Sequence, residues 1–254
     1  MRSKRLQLGS LPLTAVGTLF GLPLTGQGAD PSNLRGELPL RIEDAFIAQT
    51  TGLRLLASSR YDRTDEDRWR VNPQLQISMP RHWQIALSSR ITDDEDRPGS
   101  RYLRLSAAHQ FVREQSLIPN VALSFAADLP RGDRSKGIDT RLKALVTKTV
   151  RRSPSKDRVH LNFAWVHNAE PFGDERSEYY RLATGYSRHL APYTVLVADY
   201  SFEQRRSLGS VAHIAEIGLR QRWGKQTIFS VGFGAGSPED HADVRASLGL
   251  EYSF

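Results

Sequence analysis

The chain has no cysteine. A disulfide framework and a thiolate metal centre are therefore excluded. Beyond the N-terminus no apolar run approaches the ~18 residues that a spanning helix needs. Any membrane crossing must then be made by strands closed into a barrel. No Gly-x-Ser-x-Gly elbow occurs, and no histidine pair has metal-ligand spacing with a third ligand nearby. The seven histidines thus name no catalytic residue, no metal site and no cofactor. A basic helix is missing too. The net charge is +7, and the basic residues are mostly spread singly along alternating segments, which argues against nucleic acid as a partner.

What the sequence does have is alternation, most plainly in residues 243–254. Val244, Ala246, Leu248, Leu250, Tyr252 and Phe254 share one face, and Arg245, Ser247, Gly249, Glu251 and Ser253 share the other. Last residues usually fray. An amphipathic strand ending on an aromatic has a purpose in a membrane barrel, where the last strand pairs with the first and removes both edges. Tyr252 and Phe254 look like the C-terminal assembly signal of bacterial outer-membrane proteins.

In chain order, Arg2, Lys4 and Arg5 precede a short apolar stretch broken by glycine and proline, with small residues at Gly26, Gly28 and Ala29. Residues 1–29 therefore read as a secretory signal peptide cut after Gly28 or Ala29. Residues 30–50 read as a periplasmic lead-in or plug, and 51–254 as the barrel. About twelve alternating segments are expected, at 52–61, 69–79, 83–92, 102–111, 120–129, 138–150, 159–167, 179–187, 193–202, 212–223, 227–234 and 243–254. Pro73 lies within the second and predicts a bulge, because it cannot donate to a ladder. In the ninth only Asp199 and Ser201 indicate which face is which. Aromatics gather near strand ends, among them Tyr61, Trp69, Trp83, Phe111, Trp165, Trp223 and Tyr252, where the two membrane interfaces favour them. Connections after odd strands are mostly longer and charged, and several after even strands are short, as in an even-stranded barrel with both termini in the periplasm. A soluble double sheet would alternate in the same way. The signal peptide, the aromatic strand ends and the aromatic terminus decide against it.

The inward face is charged. Arg54, Arg60, Arg70, Arg90, Arg104, Arg141, Lys143, Arg181, Arg220, Arg222 and Arg245 are expected to line the lumen, facing Asp128, Asp139, Asp199, Glu216 and Glu251. Such a lumen is either filled by ion pairs or forms a basic constriction for anionic or polar solutes. Filling would bind Arg104, Arg141 and Arg220 to Asp139, Asp199 and Glu216. The acidic stretches 62–67 and 93–96 read as solvated loop tips. His109 and His213 fall on the outer face near strand ends. His160 and Asn162 share one strand face.

Pro39, Leu40, Glu43, Asp44 and Ala45 match a Pro-Leu-x-Thr-(Glu/Asp)-Asp-Ala stretch, with Ile42 where threonine is usual. On these residues the chain resembles the MetA-pathway-of-phenol-degradation family of putative outer-membrane transporters. The resemblance implies an all-β, antiparallel transmembrane barrel acting as a small-solute channel, with aromatic catabolites suggested by the family's name. The expected partners are outer-membrane lipid and lipopolysaccharide, the barrel-assembly machinery and a small-molecule solute. A lipid hydrolase barrel, which would need serine and histidine in hydrogen-bond reach, and a filled structural barrel are the alternatives.

Overall fold

Period-two alternation gives each segment one face for lipid and one for the interior, and closure satisfies its backbone. The computed structural model describes residues 28–36, 40–63, 67–93, 100–131, 137–151, 155–171, 173, 175–204, 211–236 and 244–254. The expected signal peptide lies outside them, except for Gly28 and Ala29, as do the acidic positions 64–66 and 94–96.

The described residues form twelve strands. These are β1 Gly52–Arg63, β2 Asp67–Met79, β3 Trp83–Asp93, β4 Ser100–Val112, β5 Asn120–Arg131 and β6 Asp139–Arg151, then β7 Asp157–His167, β8 Glu178–Ala191, β9 Thr194–Gln204, β10 Val211–Trp223, β11 Thr227–Gly236 and β12 Val244–Ser253. Each pairs antiparallel with the next, and β1 pairs with β12, so the sheet is a closed barrel. Strands of 10 to 14 residues, at ~3.3 Å per residue and tilted by ~40°, span roughly 25–35 Å, enough for the apolar band of a membrane barrel.

Chain entry into β1 and exit from β12 lie at one end, here the turn end. Connections 80–82, 192–193 and 224–226 are there; the opposite end is the loop end. Large apolar side chains stand exposed around the outer wall, among them Leu55, Ile85, Leu105, Phe125, Leu142, Leu182, Ile217 and Leu248. A continuous apolar surface of that kind belongs against acyl chains. Aromatic pairs mark both margins. Trp83 stacks on His109 at 4.4 Å and Tyr252 meets Phe254 at 4.9 Å at the turn end, while Tyr61 meets Trp69 at 5.0 Å toward the loop end. His213 sits on the outer wall, 2.7 Å from the Tyr200 hydroxyl.

Two expectations are corrected. Pro73 makes no bulge: it lies opposite Ala57 in an unshifted register with β1. The β2–β3 register is the same on both sides of it, with only a gap in the ladder between Val71 and Gln74. The missing donor is absorbed by an unmade bond. Register shifts occur instead at Gln110/Val112, Thr149/Arg151 and His189/Ala191, all near the turn-end rim, where bulges re-aim a strand as it ends. The second correction is Asp62. It is no solvated tip but a buried residue of β1, facing inward.

At this rim Glu114 accepts hydrogen bonds from the Thr149 N–H (2.7 Å) and hydroxyl (2.8 Å). Burial pushes its carboxyl up, but those bonds and Lys148 outweigh burial and hold it below the usual range.

Candidate functional site

Inward positions of a barrel are normally polar or small, yet this one presents Leu56, Leu145, Val195, Val197 and Ile214 to its interior. Apolar residues there need an apolar partner. The N-terminal segment supplies it. Leu34, Leu40 and Ile42 pack with Ala183, Val195 and Val197, and Ala45 and Ile47 pack with Ala108, Ala122 and Leu145.

The segment belongs to no strand, so its backbone groups are met by its own turns, by a turn-end carbonyl and, along most of its length, by inward side chains. The Ala29 N–H donates to the Lys225 carbonyl at the turn end (2.8 Å). The apex reaches mid-barrel: Asp199 Oδ2 accepts the Arg41 N–H at 2.7 Å and the Ile42 N–H at 3.1 Å. Asn162 accepts the Glu43 N–H and donates to the Glu43 carbonyl. The chain then descends. The Ala45 N–H donates to the Thr147 hydroxyl and the Ile47 N–H to Gln110 Oε1, each at 3.0 Å. His82 Nδ1 lies 2.9 Å from the Ile47 carbonyl, just before β1 begins. His82 and Arg81 both hold φ near +60° in the β2–β3 turn, a cost that this inward anchoring helps to offset.

Charges knit segment to wall. Asp44 pairs with Arg158 at 2.5 Å, Arg41 with Glu203 at 2.7 Å, and Glu43 with Lys143. The wall pairs with itself elsewhere. Arg220 meets Glu251 at 3.0 Å, with Arg54 also near Glu251. Arg245 bridges Asp62 (2.5 Å) and Glu216 (3.3 Å), and Arg70 meets the other Asp62 oxygen. Arg104 forms a fork onto Asp128 at 2.5 and 2.7 Å. Buried pairs of this quality hold groups in place, since removing one partner strands a charge at a cost of ~3–5 kcal/mol.

The structure places the expected lumen residues on inward-facing positions of their strands. Arg54, Arg141, Asp199, Glu216, Arg220, Arg245 and Glu251 are buried; Arg70, Arg90, Arg104, Asp128, Asp139, Lys143, Arg181 and Arg222 are partly open. Asp139 accepts the Ala169 N–H at the loop end. Arg181 lies 6.0 Å from the Tyr179 ring, and Arg222 lies 4.1 Å from the Tyr193 ring at the turn-end rim. The partners differ from those a filled lumen was expected to use. Arg104 takes Asp128, its direct register partner, and Arg220 reaches across β11 to Glu251, while Asp199 serves the segment. Sequence reasoning missed Asp62, Arg158 and Glu203 on the wall and Arg35, Arg41 and Asp44 on the segment.

The charge is unevenly arranged around the wall. β2, β3 and β4 present Arg70, Arg90 and Arg104 inward, and no described inward residue of these strands is acidic. β9, β10 and β12 carry Asp199, Glu203, Glu216 and Glu251.

Among the described residues one serine–histidine hydrogen bond is found. His160 Nε2 lies 2.9 Å from Ser187 Oγ, and Nδ1 lies 3.1 Å from Thr147 Oγ1. A hydrolase triad sets a carboxylate behind the imidazole to hold its tautomer. Here a hydroxyl that already accepts the Ala45 N–H stands in that place, and Ser187 is buried beneath the segment. The trio extends the seat of the segment.

No family model matches the chain, and neither does any curated protein. Solved structures do. The COG4313 outer membrane channel from Pseudomonas putida F1 aligns over 89% of this chain and 100% of that one, with TM-score 0.61 and 12% identity. The KdgM porin aligns over 78% and 99%, with TM-score 0.58 and 12% identity, and its complex with disordered oligogalacturonate has TM-score 0.56 and 14% identity. At such identities the likeness is one of fold: the chain has the closed antiparallel barrel of these outer-membrane proteins.

Proposed function

We propose that this protein is an outer-membrane channel for small solutes that favours anions, with residues 28–36 and 40–50 seated in its turn-end half as a movable stopper. The observation that carries this reading is a closed barrel with an apolar outer wall and an arginine-rich inner one, part of which stays open to water. Charge rings between low-dielectric walls set ion preference, because screening there is weak. The likeness to proteins described as a channel and as a porin supports the same reading. So does the resemblance of Leu40, Glu43, Asp44 and Ala45 to the MetA-pathway family, which would place the family's opening stretch in the seat itself.

Purified protein in planar bilayers under a salt gradient tests the proposal. The expected result is a conductance whose reversal potential reports anion preference. Arg104→Gln, which leaves Asp128 uncompensated on the open part of the wall, shifts it toward cations. Cation preference in the unmodified protein contradicts the selectivity. A complete lack of conductance favours the second reading, a filled structural barrel, for which the ion-paired interior speaks.

A further inference from the structure

We propose that the loop-end half of the lumen holds a binding site for a small organic carboxylate, built on Arg90 and Tyr102. Arg90 of β3 lies directly opposite Tyr102 of β4, both on the inward face, with Arg104 two residues further along the same face of β4. The Arg90 and Arg104 guanidinium carbons each stand 5.0 Å from the Tyr102 ring centroid. Neighbouring arginines usually answer to neighbouring acids, and two of the three here do. Arg104 spends Nε and Nη2 on Asp128, and Nη2 also donates to the Tyr102 hydroxyl at 3.0 Å. Arg70 is spent on Asp62.

Arg90 is different. Among the described residues it has the Tyr102 ring and no carboxylate. The Tyr102 oxygen already accepts from Arg104, so its own proton is left to donate elsewhere. Both side chains are partly open. The wall therefore offers an uncommitted guanidinium fork beside an uncommitted phenolic O–H, one positive charge more than the two carboxylates, Asp62 and Asp128, that the neighbouring arginines hold.

That donor set fits a planar carboxylate. A guanidinium presents parallel N–H groups at the spacing of two carboxylate oxygens, and a tyrosine hydroxyl can donate to one of them. It does not fit an uncharged aromatic. The π-surface of Tyr102 is already engaged by two cations, so it offers little stacking platform. If the barrel conducts, this is a subsite on the path from the loop end, and that clause rests on the proposed function. Binding itself does not.

Benzoate and phenol make the decisive pair of probes, being one ring with and without the carboxylate. Each is titrated into the purified, folded full chain in detergent at fixed ionic strength, by calorimetry. Benzoate is expected to bind and phenol to bind at least about tenfold more weakly, given that charge-assisted bonds are roughly twice as strong as neutral ones. Arg90→Gln is expected to weaken benzoate about tenfold or more, and Tyr102→Phe to weaken it by a smaller factor. Arg90 forms no ion pair among the described residues, and the nearby Asp128 keeps Arg104, so replacing Arg90 is not expected to unfold the barrel, and Tyr102→Phe keeps the ring as a second check. Phenol binding as tightly as benzoate, or benzoate affinity untouched by Arg90→Gln, overturns the site. Benzoate binding to a barrel without conductance upholds the site and overturns the channel. Conductance without benzoate binding does the reverse.

Discussion

Deleting Tyr252 to Phe254 is expected to cut the yield of folded barrel about tenfold or more, read as loss of the heat-modifiable species on gels. The reason is the seam. β12 is hydrogen-bonded on both sides, to β1 with Leu55 opposite Tyr252 and to β11 with Thr227 opposite Tyr252. The Ser253 N–H donates to the Gln226 carbonyl, and the Phe254 N–H donates to the Leu53 carbonyl. Removing these residues unpairs the turn-end stretch of two neighbouring strands and opens an edge where lipid cannot replace the lost bonds. The deletion also strips the Tyr252–Phe254 aromatic pair from the margin of the outer wall. Phe254→Ala keeps the backbone bonds and should lose far less. Equal folding yields for the deletion and the full chain would contradict the role given to the seam.

Gly185→Ala is expected to raise conductance severalfold by unseating the segment. Gly185 faces inward opposite Asp199, the residue that grips the apex. A Cβ at this position would lie 2.5 Å from Ile42 Cδ1, 2.9 Å from Ile42 Cγ2 and 2.8 Å from the Ala198 carbonyl oxygen. Two of these three atoms belong to the segment, which can move, whereas the strand carbonyl cannot move far. Overpacking of this kind costs ~1–3 kcal/mol, roughly fivefold or more in occupancy of the seated state. Adding Ile42→Ala to Gly185→Ala removes the clashing side chain and should restore part of the original conductance. A drop in folded yield with conductance per folded barrel unchanged would show that Ile42 does not hold the passage.

Much of the barrel was legible in the alternation, because a period of two states which residues face lipid whenever the other face is polar. β12 is the clearest case: every assignment from Val244 to Tyr252 follows from that rule. β9 shows its limit. Val195 and Val197 are as apolar as Leu196 and Ala198 on the other face, and only Asp199 and Ser201 indicated the inside. The reason became visible with the segment, since those valines pack on Leu34, Leu40 and Ile42. Inward apolar residues such as Leu56 and Leu145 were the available signal that something apolar occupies the interior. The partners of each charge were not legible, because a pairing such as Arg158 with Asp44 joins positions 114 residues apart. Pro73 was misread for a local reason: a proline can leave one ladder bond unmade without shifting the register.

The claim that a seated segment controls passage through the lumen is tested most directly by locking it there. The chain has no cysteine, so cysteines introduced as Ile42→Cys and Gly185→Cys have only each other to join. The Cβ of position 185 would lie 2.9 Å from Ile42 Cγ2, within the reach of a disulfide. The measurement is the current through the double variant in a planar bilayer, first oxidised and then reduced on the same membrane. The account predicts that the disulfide forms in the folded barrel, that current is low while it stands, and that current rises when it is reduced. A pair that stays unlinked in the folded barrel, or a current that is the same in both states, would contradict it.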